Sequence, residues 1–122
     1  FYPDAMAFYR THSAALGTQG KPVVYAQSQT MGPGFIRELI LKAAKAAEKV
    51  GVRLYCGEFG VIDQAPVRDT LRWFKDVDKV FREFNIGCAL WTYKKKDFGL
   101  IDPHYDEIRE ELISLLTGKS LN

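Results

Sequence analysis

The residues able to do chemistry gather in three short runs: Gly57-Glu58-Phe59-Gly60, Trp91-Thr92-Tyr93-Lys94 and Asp97-Phe98-Gly99. Glu58 ends an apolar stretch, and the glycines beside it let the backbone turn sharply and approach a ligand closely. In parallel α/β folds the C-terminal ends of strands form the edge where ligands bind. A carboxylate there is a candidate catalytic group, its plain alternative being a surface ion pair. Trp91 closes a second apolar run and offers either a binding platform or a core side chain. Asp63, Asp97 and Asp102 fall on loops at the same end, where recruitment as an acid would require both reach and a raised pKa, so they read as loop caps or solvated charges. Lys94-Lys95-Lys96 is a basic cluster on the loop after Trp91, without the glycine cradle or interleaved aromatics that a phosphate or nucleic-acid site needs. His12 and His104 have no ligand-like spacing with each other or with Cys56 and Cys88, so no metal and no cofactor is expected. A nucleophilic Cys56 would need a base, and no histidine lies near it in sequence.

These residues need elements to position them. From Phe35 to Val50 the apolar positions Phe35, Ile36, Leu39, Ile40, Ala43, Ala44, Ala47 and Val50 recur at helical spacing, and Gly51 ends the run. Val52 to Glu58 reads as a strand. Pro66 opens a second amphipathic helix carried by Val67, Leu71, Phe74, Val77, Val80, Phe81 and Phe84 down to Asn85, with Trp73 as a core candidate. Ile86 to Thr92 is the next strand, Tyr93 to Asp102 a loop, and Pro103 starts a last helix with Ile108, Leu112, Leu115 and Leu116 as its apolar stripe, stopped by Gly118. Alternating helix and strand implies parallel strands with helical crossovers. Residues 4–33 read as a long loop with a short helix near Ala5–Leu16, an extended piece at Val23-Val24-Tyr25, and turns at Gly17-Thr18-Gln19-Gly20 and Met31-Gly32-Pro33-Gly34. A loop of that length suits one wall of a cleft.

The three runs together resemble glycoside hydrolase family 5, the retaining β-glycanases of the cellulase and mannanase type. The resemblance implies an α/β fold, a partial TIM (β/α)8 barrel of about three parallel strands formed by the last βα units, treated as a single domain over residues 1–122. It implies that Glu58, ending the seventh strand, is the nucleophile, and that Trp91, ending the eighth, is a sugar platform. Tyr2 matches the tyrosine of a His-aromatic-Tyr motif on the sixth strand, and Tyr93 and Lys94 are further substrate-binding candidates. The substrate class it implies is a β-linked polysaccharide or oligosaccharide, of the β-1,4-glucan type. A retaining glycosidase needs two carboxylates about 5–5.5 Å apart. The family's acid/base is the glutamate of an Asn-Glu dipeptide, and this sequence contains none. The isolated chain is therefore expected to be inactive or weak, a C-terminal segment of a larger glycanase. The alternative is a non-catalytic, carbohydrate-binding half-barrel that self-associates.

Length and composition agree with one globular core and no more: 122 residues, 47% hydrophobic and 26% charged, against about 250 residues for a full barrel. A net charge of +2 gives no concentrated basic face for nucleic acid or an anionic membrane. No apolar run approaches a membrane span, so a soluble chain is expected, with location open and a secreted parent compatible. An open three-stranded sheet would leave its edges and inner face in need of a partner, either a second copy or the missing half-barrel. For the cysteines, strict alternation puts Cys56 on the face of Glu58 and Cys88 on the face toward the helices, so two buried free thiols are expected.

Overall fold

The computed structural model describes residues 5–17 and 26–119. It divides into two compact units, Phe1–Val52 and Arg53–Asn122. The expected Val23-Val24-Tyr25 extended piece and Tyr2 lie outside the described residues.

In the first unit, the helix expected near Ala5–Leu16 is two pieces, α1 (Ala5–Thr11) and α2 (Ser13–Leu16), followed by α3 (Pro33–Val50). The turn expected at Met31-Gly32-Pro33-Gly34 stops at Gly32, because proline's fixed φ and missing N–H suit the first turn of a helix. Gly51 ends α3 at φ 69°, its N–H donating to the Glu48 carbonyl while that of Val52 donates to Ala47. That is a Schellman cap, for which the absence of a Cβ on Gly51 is the enabling feature. Met6 and Phe35 are buried together against Ala26 and Met31. The segment before α3 is tied down by two charges. The Arg10 guanidinium donates to the carbonyls of Ala26 (2.8 Å) and Ser28 (2.7 Å). The Glu38 carboxylate accepts from the backbone N–H groups of Gln27 and Ser28, each at 2.7 Å, and from the Ser28 hydroxyl. The Ser28 hydroxyl bond and the Gln27 N–H, with Arg10 nearby, hold the Glu38 carboxyl below its ordinary value.

The second unit is built on a βαβ arrangement. Strands β1 (Tyr55–Phe59) and β2 (Gly87–Leu90) are joined through α4 (Val67–Glu83) and pair in parallel. The first strand starts later than expected and runs one residue further, to Phe59, and the second is shorter at both ends, because pairing covers only the parts where the two chains run side by side. The register sets Tyr55 beside Gly87, Cys56 beside Cys88 and Phe59 beside Leu90, with a shift between Cys56 and Phe59. Helix α4 buries Thr70, Leu71, Phe74, Val77, Val80 and Phe81, a continuous stripe of three- and four-residue steps. Asn85, at φ 53°, provides the left-handed residue after α4, with Ile86 N–H reaching back to the Phe81 carbonyl. Beyond β2, the helix expected from Pro103 is first a 3₁₀ turn (Pro103–Tyr105), and then α5 (Arg109–Thr117), ended by Gly118 at φ 66°. Leu71, Phe74, Tyr105, Ile108 and Leu112 form the core, and Phe59, Trp73 and Leu90 pack on it. Phe59 meets Phe74 and Phe81 edge-on, with ring centroids 5.8 and 5.5 Å apart. Phe59 and Leu90 thus anchor the ends of the two strands to α4 and the core.

The cysteine expectation needs correction. Both thiols are free, but Cys56 is only half-buried and Cys88 is exposed. Lateral neighbours in a regular parallel pair share a face, so the register puts Cys56 beside Cys88 and not with Glu58. Cys88 lies within electrostatic reach of Asp78 and Arg82 on α4, which marks that face as the helix side. The irregularity between Cys56 and Phe59 inserts Gly57 and Glu58 together between two helix-facing residues, which defeats the period-two count.

Candidate active site at the strand ends

Glu58 is the penultimate residue of β1, and Trp91 is the first residue past β2. Parallel pairing brings both to the same end of the sheet. The Trp91 N–H donates to the Phe59 carbonyl at 2.8 Å, which locks the two strand exits together immediately beside Glu58. Gly60 makes this possible: a Cβ there would overlap the Trp91 carbonyl oxygen and press on the Phe98 ring. The glycine is therefore needed for close backbone approach, a role its position in the motif only hinted at. The Trp91–Thr92 peptide bond is cis. The Trp91 side chain is 41% exposed, so it is a surface aromatic and not a core one. Glu58 is exposed, and no hydrogen bond or ion pair joins its side chain to another described residue.

The loop from Tyr93 to Asp102 is ordered by backbone and carboxylate contacts. Thr92 N–H donates to the Phe98 carbonyl, Leu100 N–H to the Thr92 carbonyl, and Ile101 N–H to the Tyr93 carbonyl. Lys95, Lys96 and Asp97 all have left-handed backbone, at φ 65°, 59° and 63°. Such a run of non-glycine residues costs about 1–2 kcal/mol each and persists only where surrounding contacts over-determine it. Asp102 supplies one such contact, its Oδ2 accepting from Lys95 N–H at 2.7 Å. Arg109 supplies two more, donating to the Leu100 carbonyl at 3.0 Å and the Asp102 carbonyl at 2.9 Å. The Asp63 N–H donates to the Asp97 carbonyl at 2.7 Å, connecting this loop to the one that follows β1. Asp102 is thus a loop cap, one of the two roles its position suggested.

The other expected site residues fall as follows. Tyr93 is 68% exposed, and Lys94 is also exposed on the same loop. Asp63 and Asp97 are exposed. Tyr2 lies outside the described residues, so only Glu58, Trp91, Tyr93 and Lys94 are brought to one end of the sheet here.

Two supporting residues were not anticipated. Arg109 gives no sequence cue, since an arginine opening a helix looks like any surface charge. Tyr105 sits in the 3₁₀ turn, 2% exposed, and its hydroxyl donates to the Val61 carbonyl at 2.6 Å, pinning the segment that leaves Gly60. Burial pushes its phenol up to about 12, against the opposing pull of the Val61 bond, with the charge of Asp63 adding to the rise. An aromatic one place after His104 in the Pro103 turn was the available signal.

A carboxylate and an exposed indole thus stand at one end of a parallel strand pair, on backbone held close by Gly60. No protein-family model matches the chain. It is 38% identical to Endoglucanase C of Acetivibrio thermocellus and to Endoglucanase C307 of Clostridium sp. (strain F1), each match covering 68% of this chain and 25% of the relative. Cellodextrinase A of Ruminococcus flavefaciens is 40% identical, over 67% of this chain and 27% of that protein. Among solved structures, a hyperthermophilic endo-β-1,4-glucanase in complex with substrate superposes with a TM-score of 0.61 at 29% identity, over 71% of this chain and 28% of that one. The sequence is thus cellulase-like, similar to endoglucanases and a cellodextrinase, and its mixed α/β fold with a small parallel sheet is shared with a glucanase. It spans about a quarter of the length of the curated relatives it matches.

Proposed function

We propose that this chain is part of a family 5-type retaining endo-β-glycanase acting on β-1,4-linked glucan, with Glu58 as nucleophile, Trp91 as sugar platform, and Tyr93, Lys94 and Tyr2 as further substrate contacts. In this reading the described strands are the last of a (β/α)8 barrel. The observation that carries it is the Phe59–Trp91 hydrogen bond, which holds the Glu58 and Trp91 positions at one strand edge. In a retaining mechanism the Glu58 carboxylate attacks the anomeric carbon while a second carboxylic acid protonates the leaving oxygen. The sequence has no Asn-Glu dipeptide to supply that acid, so it comes from outside this chain, and the chain alone turns over little.

The test is hydrolysis of dinitrophenyl β-cellobioside, whose leaving group needs little acid assistance, by the chain and by Glu58→Gln. Turnover that disappears in the variant supports Glu58 as nucleophile; equal turnover by both above background removes it from that role. No turnover by either, with cello-oligosaccharide still bound, favours the second reading, a non-catalytic half-barrel. That reading also draws support from the sheet, where each described strand pairs on one side only among the described residues. Its corollary is a homodimer, which light scattering reads directly; a monomer refutes the corollary.

A further inference from the structure

We propose that Cys56 and Cys88 form a redox-active dithiol pair that a low-molecular-weight disulfide, such as oxidised glutathione, closes to an intramolecular disulfide bridging β1 and β2. The pair is set by register: the two residues are direct lateral partners on neighbouring parallel strands. Adjacent strands lie about 4.8 Å apart, inside the roughly 4.4–6.8 Å between Cα atoms that disulfides span. The register puts both side chains on one face, and the strand irregularity just after Cys56 leaves β1 locally adaptable where the sulfurs must approach. Reagent access is open, with Cys88 exposed and Cys56 half-buried. The Cys56 thiol is already oriented by a hydrogen bond to the Glu58 carbonyl at 3.2 Å. Among the described residues no group of three or more His, Cys, Asp and Glu side chains gathers here, so the pair lacks the further ligands of a structural metal site.

The two thiols are inequivalent. Burial of the sulfur, the neighbouring Cys56 and Asp78 hold the Cys88 thiol above its ordinary range, against the pull of Arg82. Cys88 is therefore the resolving group. The Cys56 thiolate attacks one sulfur of glutathione disulfide, forming a mixed disulfide and expelling one glutathione thiolate. Cys88, on losing its proton to water, attacks the Cys56 sulfur and expels the second glutathione. The protein gives up two electrons and two protons, and glutathione disulfide takes them up as two molecules of glutathione.

The test incubates the folded chain with oxidised glutathione, alkylates the remaining thiols under denaturing conditions, and reads the intact mass with a non-reducing gel. The expected result is loss of both alkylatable thiols, a mass lower by two hydrogen atoms, no retained glutathione and monomeric migration, all reversed by dithiothreitol. Cys88→Ser is expected to stop at a stable glutathione adduct on Cys56. Unfolding the chain in urea before oxidation is expected to raise the glutathione adduct several-fold at the expense of the bridge. The proposal is overturned if the folded chain keeps both thiols, accumulates glutathione on either, or links to a second molecule. It is equally overturned if folded and unfolded chains partition alike, because register would then play no part.

Discussion

Replacing Tyr105 by Phe removes one hydroxyl from the centre of the second unit and leaves everything else in place. The ring keeps its edge contact with Phe74, whose centroid is 6.4 Å away, and its packing with Leu71, Ile108 and Leu112. What is lost is the 2.6 Å bond to the Val61 carbonyl. A net cost of about 1–1.5 kcal/mol follows for such a bond, since the orphaned carbonyl is half-buried and recovers water only in part. For a unit of this size that is a fall of roughly 5–10 °C in unfolding midpoint. Differential scanning calorimetry of the chain and of Tyr105→Phe measures it. A second signature comes from alkali. The phenol is raised from 10.0 to about 12 in the folded chain. Its contribution to stability is therefore complete below the unfolded value, and is lost as pH rises through the folded one. The parent should lose stability over that window while Tyr105→Phe lacks that component, and the ultraviolet ionisation curve should lose a late step near pH 12. A variant that melts within about 1 °C of the parent, with the late step still present, would refute the argument.

Three further outcomes rest on separate features. Thr70 is buried with its hydroxyl unpartnered among the described residues, so Thr70→Val should leave stability unchanged or raise it by up to about 1 kcal/mol by urea unfolding. Gly60→Ala forces a methyl group into the Trp91 carbonyl; a loss of about 1–3 kcal/mol is expected, together with a shift in tryptophan fluorescence as the Trp91 side moves. The Glu38 carboxyl is lowered from 4.5 by its bonds to Ser28 and Gln27, so its clasp on residues 27 and 28 is complete above that value and is lost as pH falls through the folded one. Hydrogen exchange at the Gln27 and Ser28 amides should accelerate in acid in the parent, and be fast throughout in Glu38→Ala.

Much of the architecture could be read from the chain because single residues announce it. The stripe from Phe35 to Ala47 closes on Gly51, and the stripe from Leu71 to Phe81 closes near Asn85. Both ends are Schellman caps whose left-handed residue is one of the two types that adopt it easily. Glu58 and Trp91 were found by motif, and their shared strand edge followed from the alternation of helix and strand. The face of Cys56, unlike that of Cys88, escapes the sequence because a bulge leaves no trace in hydrophobic periodicity; Gly57 permits it but does not require it. The loop from Tyr93 to Asp102 was equally opaque. Its Lys95-Lys96-Asp97 run is held left-handed by Asp102 and Arg109, partners that sequence spacing does not reveal. Pro103 reads as a helix start but begins a 3₁₀ turn, whose Tyr105 hydroxyl donates to the Val61 carbonyl, and α5 follows only from Arg109.

The parallel pairing of β1 with β2 has a kinetic side. Tyr55 and Gly87 are neighbours in the sheet, yet about thirty residues of chain separate them, and that loop must close before any ladder bond forms. Helix α4, whose own backbone hydrogen bonds are local, is positioned to form first and offer Phe74 and Phe81 as the surface on which Phe59 docks. The strand ends that carry Glu58 and Trp91 then meet last. Changes within α4 should accordingly slow folding, whereas changes around Gly60 should chiefly hasten unfolding, so the candidate site would be the last part of this unit to assemble and the first to come apart.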